Sequence, residues 1–559
     1  MYLRILQLSR GDKQYKYLKL VEAARRKGKI IQKTLLNFGN IEQWPQEKLT
    51  EFVCQLNEFC QLNLGPRAED VDVHDAFDFG ACFAIDAVWN ELCLSETIRR
   101  HMREHACDID IVPPVKAMVF NRLLEPSSKL RVSEWVTTQA IHEVFPDEIP
   151  LHRYYRSLDY LMTHKKSLEE DIFWKVNDIF NLDLSLVFYD LTSSYFEGDR
   201  CPIARRGYSR DHRPDCRQIE IGLLVNRDGI PIAHEVWDGN VKDQTTVPDT
   251  LETMRKRFNI RRCIFVGDNG MATSDNIALL RKHRYEYIVG MRLLKDARAL
   301  AVLNDPSLPG REHFTVLKDN LSVHEVTKPG KGFHDDERVI LCYNPERAQS
   351  TRERRAEKLE ESREYLREIK ERSPKQGQPR QPEKITAMVE RNLRKRGTHT
   401  YFTWGFTGDG VFDYHENTAT LDKASITDGI CMLLTNSPTL SPADIALGYR
   451  TLSEVEQAFR DIKNVIRIRP IYHYNDLRVR GHVFICVLAY LIEQFMEKKL
   501  TQAHVPLSAH KALSILKPIR MVRYTIMNKT LQKRTNISPE QEKIFHALGV
   551  SDIPLLPVF

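Results

Sequence analysis

Three carboxylates sit where their neighbours make them chemically suspicious. In LSLVFYDLTSSYF (residues 184–196), strand alternation places Leu184, Leu186 and Phe188 on one face, and the next residue on that face is Asp190. A carboxylate on a packing face is costly unless an N-cap, a salt bridge or a metal ion compensates it. The second, Asp268, ends RCIFVGDNGMATSDN, where a hydrophobic run enters Gly267–Asp268–Asn269–Gly270. In α/β sheets the carboxyl ends of strands are where sites form, although an Asp in a glycine turn is common in its own right.

The third lies in GYRTLSEVEQAFRDIKNVIRIRP, where Leu452, Val455, Phe459 and Ile462 recur at helical spacing. Tyr449, Glu456 and Lys463 are spaced by seven, so one continuous helix would align them on a single face beside that stripe. A solvated charge ladder is the plain alternative, and Glu454 with Arg460 forms a rival set. Two strand-end carboxylates and one on a later helix are hard oxygen donors that suit Mg²⁺ or Mn²⁺. Two such ions about 3.5–4 Å apart serve phosphoryl transfer, and their charge would offset Asp190 on its inward face.

The rest of the chain must position these groups. Its 559 residues are 42% hydrophobic and 28% charged with net charge +6, so several soluble globular domains are expected. The mild basicity permits a nucleic-acid partner without demanding one. Eleven scattered cysteines without a C-x-x-C pair exclude a disulfide framework or zinc ribbon and fit a reducing cytoplasm. His101, His105 and Cys107 form one small cluster that reads as ordinary surface chemistry. The longest apolar run, VFICVLAYLI (483–492), is too short for a membrane span and predicts a core helix. No signal peptide is expected.

Residues 1–65 predict a small basic β-meander and 75–180 a helical region, whose basic character suits DNA binding, with a plain helical domain as the alternative. Residues 184–292 read as mixed α/β, with strands at 184–191, 217–226, 230–237, 262–268 and 285–292 and an antiparallel hairpin through the turn RDG. Three strands followed by helix–strand–helix–strand is the order of a ribonuclease H-like core. STRERRAEKLEESREYLREIKERS (350–373) predicts a solvated charged helix, PKQGQPRQP (374–382) a linker, and the stretch from Thr398 a return to β structure.

With these stretches in view, the chain resembles bacterial insertion-sequence transposases of the DDE type, in the branch with a β-rich insertion and a Tyr–Arg–Glu–Lys signature. YDLTSSYFEG is similar to the block around the family's first Asp. GYSRDHRPDCRQIEIGLLVNRDGIPIAHEVWDGNVKDQTT (207–246) resembles the long block after it, and YRTLSEVEQAFRDIKN the signature helix. EPSSKLRVSEWV and RVRGHVFICVLAYLIE extend the likeness more weakly.

The resemblance implies an α/β fold: a ribonuclease H-like mixed sheet core, a β-rich insertion domain and a mainly helical N-terminal region. It implies core segments at 184–292 and 441–500, an insertion at 293–440 that helps hold the transposon end, and a C-terminal helical region at 501–559. Asp190, Asp268 and Glu456 become the catalytic and metal-holding residues, with two Mg²⁺ ions for which Mn²⁺ substitutes. Tyr449 and Lys463 match the signature's ends and contact DNA. The signature Arg falls on Leu452, leaving Arg450 or Arg460 to supply its phosphate contact. Trp404 reads as a core tryptophan or a base-stacking residue.

The expected activity is cutting of double-stranded DNA at terminal inverted repeats and joining of 3′ ends to a target. The chain would act as a homodimer on DNA, in the cytoplasm, nucleoid-associated when bound, with no membrane partner. A metal-dependent nuclease without strand transfer, and an inactive or domesticated DNA-binding protein, are the competing expectations.

Overall fold

β-Branched and aromatic alternation in the first forty residues builds three antiparallel strands, β1 (Tyr2–Arg10), β2 (Lys13–Arg26) and β3 (Lys29–Asn40), in sheet order β1-β2-β3. The computed structural model describes all residues except 11–12, 27–28, 61–70, 108, 141–147, 197, 262, 269–270, 319, 328, 373–381, 409, 527–528 and 554–559. The chain divides into two units, 1–75 with 522–533, and 76–521 with 534–559. In the first, helix Gln46–Phe59 follows the meander, and Phe52 packs edge-on against Phe38 and Trp44. β4 (Val71–Asp78) runs across the boundary in sequence.

The second unit opens with helices Gly80–Glu91, Leu94–Glu104, Val112–Leu124, Lys129–Trp135, Leu151–Thr163 and Lys165–Phe180. Then come β5 (Leu186–Tyr195), β6 (Gln218–Asn226), β7 (Pro231–Asp238), β8 (Ile264–Gly267) and β9 (Glu286–Gly290). β5, β8 and β9 are parallel, while β6 pairs antiparallel with β5 and β7 antiparallel with β6, giving the order β7-β6-β5-β8-β9. This is the ribonuclease H-like arrangement. The β6–β7 hairpin closes where expected. Asn226 Oδ1 accepts from Asp228 N (3.1 Å) and Ile230 N (2.9 Å), and Gly229 takes the positive φ (77°) the turn demands.

After β9 the chain adds β10 (Thr315–Lys318), β11 (Leu321–Val326) and β12 (Arg338–Tyr343), then β13 (Phe402–Phe406), β14 (Phe412–Glu416) and β15 (Ile430–Thr435). β15 pairs antiparallel with β9, and β12, β11 and β10 follow, so these strands widen the sheet to nine. Helices Pro345–Arg372 and Pro382–Arg396 with the β13–β14 hairpin enclose a second core around Leu359, Leu366, Val389, Leu393, Phe402 and Phe412. The long charged helix is therefore not wholly solvated: its sparse apolar positions are those that pack. The linker expected at 374–382 falls, except for Pro382, outside the described residues.

The chain returns to the sheet through helices Pro442–Arg450 and Leu452–Asn464. Helix Asp476–Gln502 is long and apolar enough to cross a membrane, but 89% of its apolar window is buried within the fold. It is the central core helix. Helix Ala509–Leu516, β16 (Arg520–Ile526), β17 (Lys529–Arg534) and helix Pro539–Ala547 follow, so 501–559 is not helical throughout as expected but also carries two strands.

Candidate active site

The pairing of β5 with β8 sets the first two carboxylates side by side. Tyr189 pairs with Gly267; Asp190 follows Tyr189 on β5, and Asp268 follows Gly267 just past the end of β8. Neighbouring strands lie about 4.8 Å apart. Asp190 is not at a strand end as expected: β5 continues to Tyr195, paired with β6, and it is β8 that stops. The sheet opens at Asp190 because its parallel neighbour ends.

The third carboxylate arrives on helix Leu452–Asn464, whose Leu452, Val455, Phe459 and Ile462 are all buried. This stripe packs the helix and leaves Glu456 exposed beside the sheet. Asp190, Asp268 and Glu456 line one cleft of about 570 Å³ together with Tyr449, Arg450 and Leu452. Burial, and then the negative charges of Asp268 and Glu456, push the Asp190 carboxyl up to about 7, against the Leu191 N–H and the Arg210 guanidinium. Burial also holds the Tyr449 phenol protonated far above its usual range, with all three carboxylates adding to the effect.

Tyr449 reaches the cleft by a different route from the one its spacing suggests. The helix breaks at Thr451, so Tyr449 belongs to Pro442–Arg450, capped by Ser441 and Asp444, and only Glu456 and Lys463 share a helix. Lys463 does not line the cleft: its Nζ lies 2.8 Å from Asp211, whose other oxygen lies 2.7 Å from Arg469. Leu452, at the signature's Arg position, is buried. Arg450 lines the cleft, whereas Arg460 is exposed elsewhere on the Glu456 helix.

Sequence reasoning assigned no role to Arg210, although it lies in the block quoted as most specific. Its guanidinium binds Glu220 at 2.8 Å and both oxygens of Asp243 at 2.8 Å, and its backbone N–H donates to Ser193 Oγ. It thus braces the loop beside β5. Asn344 and Arg347, which follow β12, also line the cleft, and only the sheet topology reveals them.

Of the small cluster expected at the surface, His105 is exposed and Cys107 half-buried, but His101 lies inside the fold. His101 is buried and bonds Tyr160 Oη (3.2 Å) and Ser167 Oγ (2.9 Å), with ligand atoms of His101, His105 and His164 all within 4.8 Å of one another. Cys107 instead donates to Ile109 O at 3.4 Å.

A ribonuclease H-like sheet carrying three convergent carboxylates defines a class of metal-dependent nucleic-acid enzymes. The model of the transposase DDE domain family matches residues 182–492, and that of the IS1634 family transposase N-terminal domain matches residues 3–69. The chain belongs to the DDE transposases of insertion sequences, enzymes that cut and join DNA with divalent metal ions. Among solved structures it is similar to the piggyBac transposase in a synaptic complex with hairpin DNA, at 10% identity, 81% coverage of each chain and a TM-score of 0.38. No curated protein matches it.

Proposed function

We propose that Asp190, Asp268 and Glu456 hold the metal ions with which this transposase cuts at the terminal inverted repeats of its insertion sequence and joins the 3′ ends to target DNA. The observation that carries this reading is the shared cleft of the three carboxylates at the point where β8 ends. The donor set fits: all three are hard oxygen ligands, and Asp190 is held up to about 7 by burial and like charge that a divalent cation would offset. When bound, a pair of Mg²⁺ ions, or Mn²⁺ in their place, would supply Lewis-acid activation of the attacking oxygen and charge stabilisation of the leaving one.

The chain's own groups do the rest. Tyr449, kept protonated, donates its O–H to a phosphate oxygen in the cleft. Arg450 and Arg347, exposed at the cleft, take backbone phosphates, so Arg450 stands in for the guanidinium absent at Leu452. Lys463 positions the Glu456 helix through Asp211 rather than meeting DNA itself.

Residues 1–65 and 75–180 supply DNA-binding surface, and 293–440 steadies the transposon end. Two ends require two such sites, hence a homodimer on DNA, working in the cytoplasm at the nucleoid. The test is cleavage of a duplex carrying the inverted repeat, in Mg²⁺, with and without a target duplex. Joined product supports the reading. Cleavage without joining would leave a nuclease, and binding without cleavage an inactive DNA-binding protein.

A further inference from the structure

A second cleft, of about 640 Å³, lies where the chain leaves the Glu456 helix and meets helices Val112–Leu124 and Lys129–Trp135. Two cations are buried in its wall: Arg122 is 6% exposed and Lys129 4%. Among the described residues neither is paired with a carboxylate. Arg122 donates to the carbonyl oxygens of Arg467 (2.9 Å) and Ser127, and its Nε has no partner. Lys129 Nζ lies 3.4 Å from His482 Nδ1. His482 Nε2 must carry the ring proton, because it sits 2.8 Å from the Ile468 carbonyl, so Nδ1 is a neutral acceptor. Both charges are thus met only by neutral groups.

Buried cations without a counter-charge are expensive, and a fold retains them where an anion arrives to offset the cost. Arg131 and Arg467, both exposed, add charge at the rim, while Glu125 is the one acid among the cleft's described lining residues. Burial, then the neighbouring Arg122, lowers Lys129 to about 7.

We infer that this cleft seats a phosphate of the DNA backbone, with Lys129 and Arg122 as its buried charges and Arg131 and Arg467 at its rim. The inference rests on the transposase reading for the identity of its ligand. DNA is favoured over a free phosphate by continuity. Arg469 lines this cleft and binds Asp211, which binds Lys463 on the helix that carries Glu456. One chain of ion pairs therefore links the rim of the seat to the helix that carries Glu456.

The test measures binding of the full chain to a labelled duplex of arbitrary sequence across a salt series, for wild type, Lys129→Met and Arg131→Ala. Lys129→Met should weaken binding about tenfold and reduce the salt slope by about one, and Arg131→Ala should reduce the slope similarly. Without DNA, Lys129→Met should melt no lower than wild type, because it removes an unpaired buried charge; a merely structural lysine would show the opposite. If Lys129→Met does not fold, Arg131→Ala alone decides. Unchanged affinity and slope in the folded variants would overturn the seat while leaving metal-dependent cleavage intact. A melting-temperature rise with inorganic phosphate in wild type but not in Lys129→Met, with equal duplex affinity, would overturn the DNA assignment in favour of free phosphate. A wild-type chain that binds no duplex would overturn the transposase reading together with the seat.

Discussion

Lys463 Nζ lies 2.8 Å from Asp211, a carboxylate on the loop between β5 and β6, and not against Glu456 on its own helix. Two helical turns separate Lys463 from Glu456, about 10.5 Å along the axis, which is long for a direct pair. The loop supplies the nearer anion. The Asp211 side chain is 5% exposed and holds Arg469 as well, so it ties the loop to the last turn of the helix and to the segment beyond. Removing one partner of a buried pair leaves an uncompensated charge and costs about 3–5 kcal/mol. Asp211→Ala should destabilise the chain by that order in urea unfolding. Lys463→Ala should slow cleavage while leaving the salt slope of duplex binding unchanged. A slope lower by one would return Lys463 to the DNA backbone.

Asp190→Asn should reduce cleavage by at least about 10³-fold while keeping duplex affinity within about twofold, since the amide preserves shape but loses the charge that holds the metal. A readout independent of activity is available. Mn²⁺ that binds the folded chain raises its melting temperature by mass action, and this rise should disappear in Asp190→Asn. Equal stabilisation of both proteins by Mn²⁺ would remove Asp190 from the metal site.

Much of this site was legible because its signals are local. Periodicity placed the buried stripe of the Glu456 helix, and strand alternation singled out Asp190. Two features escaped for physical reasons. The break at Thr451 lies within a stretch whose composition is helical on both sides, so seven-residue spacing joined Tyr449 to a helix it does not share. Arg210 and Asp211 look like ordinary loop charges, and their partners Glu220, Asp243, Lys463 and Arg469 lie between 10 and 258 positions away. Contacts that depend on tertiary folding leave no periodic trace.

The second core, around Leu366 and Phe412, is the other place where pattern misled. Helix Pro345–Arg372 is charged along most of its length, yet Leu366 is fully buried against residues of the Pro382–Arg396 helix and the β13–β14 hairpin. Leu366→Ala should cost about 2–5 kcal/mol of local stability, and the exposed Glu364→Ala within about 0.5. Hydrogen exchange across 345–416 would register the difference. Equal protection in the two variants would restore the picture of a solvated helix.

Stability should also carry the imprint of Glu493, on the central helix Asp476–Gln502. Its side chain is buried, Oε2 has no partner, and burial followed by the negative charges of Asp461 and Glu497 raises its carboxyl from 4.5 to about 8. Between those values the folded chain keeps a proton that the unfolded chain has released. Stability from this group is therefore fully present below about 4.5 and is lost as pH rises towards about 8. The slope for one such proton is about 1.4 kcal/mol per pH unit. Glu493→Gln has nothing to ionise, so it should equal wild type near the acid end of this window and exceed it in urea midpoint at pH 8.5. Parallel stability–pH profiles for the two proteins would show that Glu493 ionises in the folded chain as it does in water.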